Sequence, residues 1–195
     1  MNYQADLKLL QECRLQSVMG IDEAGRGALA GPVVIAAVIL NYNDPILGLN
    51  DSKLLSAKKR DLLYDCIIRR AVAFTLIEID ALTIDRINIR QASLLGFSKV
   101  YQVLQDKAEQ ALVDGRDLPD DISGWPVIKG DQIHACIAAA SILAKVHRDR
   151  LMIALDNVYP EYGFAAHKGY GTQRHYEALS RLGACTEHRQ SFRLS

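Results

Sequence analysis

The longest uninterrupted apolar run, Val33 to Leu40, is rich in β-branched residues and has no polar face. A segment of that length, apolar on both sides, predicts a central strand covered above and below. Residues 17–23 predict the strand before it, with Gly31-Pro32 turning the chain back as a hairpin. A polar loop containing Asn43-Asp44-Pro45 follows. From Ser56 to Arg70 the period becomes helical, with Ser56 as cap and Leu62, Leu63, Cys66 and Ile67 on one face. Ala71 to Ile79 alternates as a further strand, and Asn88 to Gln105 reads as a second helix. Ala111-Leu112-Val113-Asp114-Gly115 and Pro126-Val127-Ile128-Lys129-Gly130-Asp131 are short apolar strands, each ending in an acid and a glycine. After Asp131 comes the clearest helix, with Ile133, Ile137, Ala140, Ala144, Leu151 and Leu155 at helical spacing and Ala138, Ala139 and Ser141 allowing close packing. A loop with Pro160 and Gly163 leads to His167–Thr172, where Thr172 caps a last short helix. The pattern predicts one α/β domain over residues 1–195, core about 17–192, with parallel and antiparallel strands mixed.

Composition narrows the class. Apolar residues are 49% and charged residues 24% of the 195, an ordinary globular balance. No run reaches the length of a membrane span, and Asp6, Lys8 and Glu12 rule out a secretory layout at the N-terminus. Cys13, Cys66, Cys136 and Cys185 form no C-x-x-C pair and read as reduced thiols of a cytoplasmic protein. Net charge is zero, so total charge gives no support for a nucleic-acid partner. Its distribution gives a little: from Lys129 onward there are nine Lys/Arg against six Asp/Glu, and before it fourteen against seventeen.

The chemistry concentrates where strands end. Asp22 and Glu23 close an apolar run and lead into Gly25-Arg26-Gly27. A buried carboxylate costs several kcal/mol unless a cation or hydrogen bonds offset it. Flanking glycines let backbone approach a ligand while the guanidinium reaches for phosphate. With Asp114 and Asp131, three strand ends deliver four acids to one edge, the edge where α/β sheets collect ligands. Such a set suits two hard divalent cations about 3.5–4 Å apart. Taken singly, Asp131 reads as a helix N-cap and Asp114-Gly115 as an ordinary turn. Asp22-Glu23 resists that reduction, because neighbours on a strand face opposite ways. Gly25-Arg26-Gly27-Ala28-Leu29-Ala30 also fits the dinucleotide fingerprint, but that motif must open a helix and here a strand follows. Ser52-Lys53 lies in a loop. Lys145, Arg148 and Asp149 share the polar side of the long helix, a solvated and partly self-paired face. Tyr170, between two glycines, is an exposed ring suited to stacking. His134 and His147 have no ligand spacing and read as structural or surface residues.

Together these blocks resemble the bacterial type 2 ribonuclease H family. The resemblance rests on Asp22-Glu23-Ala24-Gly25-Arg26-Gly27, Asp51-Ser52-Lys53, Val113-Asp114-Gly115, Lys129-Gly130-Asp131, Ala139 to Asp149 and Lys168-Gly169-Tyr170-Gly171-Thr172, from about Gly20 to Phe192. It implies a ribonuclease H-like fold: a mixed five-stranded sheet flanked by helices, with a helical C-terminal extension. It implies endonucleolytic cleavage of RNA in RNA–DNA hybrids and nicking 5′ of ribonucleotides embedded in duplex DNA. Two Mn²⁺ or Mg²⁺ ions would sit on Asp22, Glu23, Asp114 and Asp131. Gly25, Arg26 and Gly27 would sense the 2′-hydroxyl, and Tyr170 would stack beneath the sugar at the junction. Ser52, Lys53, Lys145 and Arg148 complete the implied substrate contacts, for a monomer that excises misincorporated ribonucleotides and RNA primers. Lys53-Leu54 departs from the lysine pair usual after Asp51-Ser52. Two other classes compete: a nicotinamide-dependent oxidoreductase, disfavoured by Pro32, and a silent hybrid-binding module, disfavoured because no acid is missing.

Overall fold

The computed structural model describes residues 2–194. Five strands form one sheet in the order β3-β2-β1-β4-β5. β1 (Val18–Ala24) and β2 (Val33–Ile39) make the expected antiparallel hairpin, and β3 (Ala73–Ile79) adds antiparallel to β2. β4 (Gln110–Asp114) and β5 (Gly124–Val127) extend the other edge in parallel.

The two-sided apolar run of β2 is explained by what covers it. Val34, Ala36 and Val38 face one core with Leu63 and Ile67 of α2 (Ala57–Arg70) and the inner face of α6 (Ala135–Val158). Val33, Ile35, Ala37 and Ile39 face a second core with Ile84 of α3 (Ala81–Ile87) and Phe97 and Val100 of α4 (Ile89–Leu104). α1 (Asn2–Cys13) packs on α6. α5 (Gly130–Ile133) precedes α6, and beyond it come α7 (Phe164–His167) and α8 (Gln173–Leu182), with Phe164, Leu179 and Met152 forming a third apolar cluster. Ser56, Asn88 and Thr172 cap α2, α4 and α8 through their side chains, and among the described residues no helix is long and apolar enough to cross a membrane.

Several expectations are corrected. Leu62 points outward at 61% exposure, so the buried stripe of α2 is Leu63, Tyr64 and Ile67. The helix after Asp131 is not continuous: His134 is extended and separates α5 from α6, leaving Ile133 exposed. Asp131 therefore caps neither helix. The N-terminus of α6 is capped by Asp6 of α1, whose buried carboxylate accepts from the N–H groups of Ala135 (3.2 Å) and Cys136 (3.0 Å). Asp131 also lies past the end of β5, after Lys129 has turned the chain through a left-handed conformation. The segment after Pro160 is a 3-10 turn and α7 rather than open loop.

Candidate active site

Strand alternation sends Asp22 towards α6, with Val18 and Ala24, and Glu23 the other way, as expected of neighbours on a strand. In the parallel pairing of β1 with β4, Ile21 stands opposite Val113, so Asp22 and Asp114 occupy the next step of the same ladder. One carboxylate oxygen of Asp22 accepts from the Glu23 N–H at 2.7 Å, and Asp114 accepts from the Gly130 N–H at 2.7 Å. That second bond ties the Asp131 turn to the end of β4.

Crowding and burial set the electrostatics. The Asp22 carboxyl is pushed well above the usual range by burial, then by repulsion from Asp114 and Glu23. Burial also raises Glu23, although Arg26, 3.4 Å away, opposes it. Asp114 is raised by burial against backbone N–H donors and Lys53. Asp131 is raised to about 6, by burial and then by repulsion from Asp51 and Asp114. Four acids that resist ionisation together are an environment that a cation would relieve. Among the described residues, no three His, Cys, Asp or Glu side chains are grouped so as to hold an ion where they stand. The donor chemistry nevertheless fits a hard divalent cation: oxygen ligands only, partly buried and mutually repelling.

These groups open into a cavity of about 480 Å³. Of the sequence-predicted residues it is lined by Asp22, Glu23, Gly25, Arg26, Gly27, Ser52, Lys53, Asp114, Lys145 and Tyr170. Asp131 stands behind it through Gly130. Lys145 is paired with Asp149 at 2.7 Å, the self-pairing expected on that face of α6.

Arg148 is the exception. It is fully buried, not solvated, and donates to the carbonyls of Ala30, Pro32 and Lys168 at 2.9–3.1 Å. Its guanidinium thus braces the segment after the glycine turn and the Tyr170 loop, and it is buried rather than on the solvated face expected of it. Gly25 lies against it: φ is +95°, and a Cβ there would fall 1.9 Å from Arg148 Nε. A second buried arginine, Arg189, does the same from the other side, donating to Gly31 and Arg26 carbonyls.

Ser141 escaped the sequence reading because a small residue within an alanine run signals packing. It lines the cavity, hydrogen-bonds Ser52 Oγ at 2.9 Å, and lowers Asp22 by a hydrogen bond. Asp51 orders its loop by accepting from Lys53 N–H (2.9 Å) and Gln132 (3.3 Å). His134 binds Asp6 and His147 binds Glu78, neither near the cavity, as expected of structural and surface histidines.

Comparison with known proteins places the chain as a whole. A family model described as Ribonuclease HII matches residues 19–195. A ribonuclease HII of Dechloromonas aromatica is 55% identical, covering 90% of each chain, and ribonuclease HII 1 of Methylibium petroleiphilum is 51% identical over 94% of this chain and 93% of its own. Among solved structures, the RNase HII of Archaeoglobus fulgidus in its complex with PCNA superposes with a TM-score of 0.78 at 26% identity, covering 92% of this chain and 96% of that one. On this match over most of its length and these relatives at about half identity, the chain belongs to the ribonuclease HII family, and its mixed five-stranded sheet is the one the resemblance implied.

Proposed function

We propose that this chain is a metal-dependent endonuclease that hydrolyses the RNA strand of RNA–DNA hybrids and nicks duplex DNA 5′ of embedded ribonucleotides, leaving a 3′-hydroxyl and a 5′-phosphate. What carries the reading is that one cavity holds Asp22, Glu23 and Asp114, the Gly25–Arg26–Gly27 turn and Tyr170 together. Asp22, Glu23, Asp114 and Asp131 would hold Mn²⁺ or Mg²⁺. Two such ions, when bound, supply an activated water and stabilise charge on the leaving oxygen.

The remaining work belongs to the chain. The backbone of Gly25–Gly27 approaches the 2′-hydroxyl, the group that separates RNA from DNA. Arg26 and Lys53, at the cavity rim, take adjacent phosphates. Tyr170 offers its half-exposed ring to the sugar at the junction. Arg189 holds the Arg26 carbonyl of the turn, and Arg148 holds the carbonyls of Ala30 and Pro32 just after it, so the shape of the segment precedes binding. These contacts read sugar and phosphate, so base preference is weak. In the cell the same chemistry suits a cytoplasmic monomer that starts the removal of misincorporated ribonucleotides and RNA primers.

The test is incubation with Mn²⁺ or Mg²⁺ and a duplex carrying one ribonucleotide. A nick on its 5′ side is expected, with Asp22→Asn and Asp114→Asn each reducing turnover by orders of magnitude while remaining folded. A folded Asp22→Asn protein of near wild-type activity would remove Asp22 from the metal site.

A further inference from the structure

Outside the cavity, a dense group of titratable side chains, His167, His175, His188 and Cys185, is packed around Phe164 and Tyr162. His175 and His188 are buried, at 0% and 2% exposure, and the mechanism above does not use them. Their hydrogen bonds leave no freedom in the placement of protons. The Cys185 backbone N–H donates to His188 Nδ1 at 3.0 Å, so that nitrogen is bare and Nε2 carries the proton. His188 Nε2 then donates to His175 Nε2 at 3.0 Å, and His175 Nδ1 in turn donates to the carbonyl of Tyr170 at 3.0 Å. The chain has one direction, and it ends on the backbone of the stacking tyrosine. Burial, which holds His188 down to about 4, keeps both rings neutral at ordinary pH, as the relay needs.

The neighbours fix the rings in place. His167 stacks on His175 with centroids 4.3 Å apart, Phe164 meets His175 edge to face at 5.6 Å, and Tyr162 lies tilted on His188 at 4.9 Å. Tyr170 is held at both backbone ends, since its own N–H donates to the His167 carbonyl at 3.0 Å. The loop before it passes through two left-handed residues, Lys168 (φ 54°) and Gly169 (φ 79°). A lysine in that conformation persists only where its surroundings over-determine it. The segment carrying His188 is joined to the glycine turn and the stretch after it: Arg189 Nη1 donates to the Arg26 carbonyl at 3.0 Å, Arg189 N–H donates to the Leu29 carbonyl at 2.8 Å, and Ala30 and His188 form an antiparallel bridge.

We propose that the Cys185–His188–His175 hydrogen-bond chain is a positioning device that aims Tyr170 and locks its loop to the Gly25–Arg26–Gly27 turn, so that the C-terminal segment sets selectivity for embedded ribonucleotides. This rests on the reading of Tyr170 as the ring beneath the junction sugar. None of the three residues touches substrate. They act through the tyrosine, whose ring stays half-exposed while its peptide groups are tied.

The experiment is a double-mutant cycle read as selectivity. Rates of cleavage are measured on a duplex with one ribonucleotide and on a long RNA–DNA hybrid, for wild type, His175→Phe, Tyr170→Ala and the double variant. His175→Phe keeps a ring of similar size between His167 and Phe164 but removes the N–H from the Tyr170 carbonyl. Misplacing a positioning group by a fraction of an ångström justifies a selectivity loss of about tenfold for His175→Phe. In the Tyr170→Ala background the same change is expected to cost nothing further. His175→Asn, whose amide N–H takes the place of Nδ1–H, is expected to recover part of the loss. If His175→Phe fails to fold, His188→Gln replaces it in the same cycle. Tyr170→Ala losing selectivity while the histidine variant keeps it would overturn the positioning role and leave the function standing. Additive losses would overturn it too, as would equal losses on both substrates. A Tyr170→Ala protein with unchanged selectivity would overturn the role of the tyrosine, and the relay with it.

Discussion

Replacing Asp131 with Asn separates a site acid from a structural one, because the two roles have opposite signs for stability. Asp131 titrates at about 6 in the folded chain against 3.8 for the free side chain. Burial disfavours its charge first, and Asp51 and Asp114 then repel it, while a proton on Asp131 is shared with Asp51. The raised value means that the native state binds more protons than the unfolded state between about pH 4 and 6. Metal-free stability therefore falls as pH rises through that window, and the whole penalty is present above it. At 1.36 kcal/mol per pH unit the penalty is about 3 kcal/mol, and charge screening and local relaxation reduce it to about 1–2 kcal/mol. Asn keeps the volume and hydrogen-bonding capacity without the charge. In EDTA at pH 7.5, Asp131→Asn is therefore expected to melt about 2–8 °C above wild type, at roughly 2–4 °C per kcal/mol for a chain of this size. The difference should shrink to nothing below about pH 4, where the aspartate is neutral in both states. Divalent metal should raise the wild-type melting temperature more than the variant's, and turnover should drop by orders of magnitude. The measurement is a set of circular-dichroism melts of both proteins from pH 3.5 to 8, with the difference taken at each pH. Using the difference removes the opposite trend from His188, whose depressed value costs stability as pH falls below its ordinary 6.5. A variant no more stable at pH 7.5, or a gain that ignores pH, would refute the electrostatic account. Wild-type turnover would take Asp131 out of the metal site.

The glycine turn gives a contrast between two neighbouring alanines. Gly27→Ala adds a methyl group with nothing within 4 Å, so the melting temperature should hold while cleavage of both substrates falls by at least tenfold, because the methyl occupies substrate space. Gly25→Ala drives a Cβ onto Arg148 at a φ of +95° and should cost about 2 kcal/mol or more, visible as a lower melting temperature before any assay of activity. Asp6→Ala removes the carboxylate that accepts from Ala135, Cys136, His134 and Tyr42, and about 3 kcal/mol of destabilisation follows, read as a shift in urea midpoint at constant slope.

The sequence made the sheet's centre legible because β2 is apolar at every position, a pattern only a doubly covered strand needs. The acids of β1 were legible for the complementary reason: charge at the end of a buried strand has few structural uses. α3 was not, since seven residues ending at Ile87, before Asn88 turns with φ 66°, are too short to show a helical period. The placement of Asp131 was missed because nothing in Ile128-Lys129 marks the left-handed turn that takes it off the strand. Arg148 misled for a different reason. On the helix it falls beside Lys145 and Asp149, and only the carbonyls of Ala30, Pro32 and Lys168, far off in sequence, make its position an interior one. His175 and His188 were silent individually, and their meaning lies in a hydrogen bond between segments that the sequence does not pair.

The cap on α6 has a consequence for the order in which the protein assembles. Asp6 and the peptide groups it caps are 129 and 130 residues apart, so α1 waits for a much later segment of the chain. Closing a loop of that length is an entropic step that only later contacts repay, and long-range closures of this kind slow folding. Until it closes, the start of α6 has open N–H groups. The hairpin carrying Asp22 and Glu23 is local and needs no such wait. A growing chain therefore has the strand hairpin that carries Asp22 and Glu23 long before the start of α6 is capped.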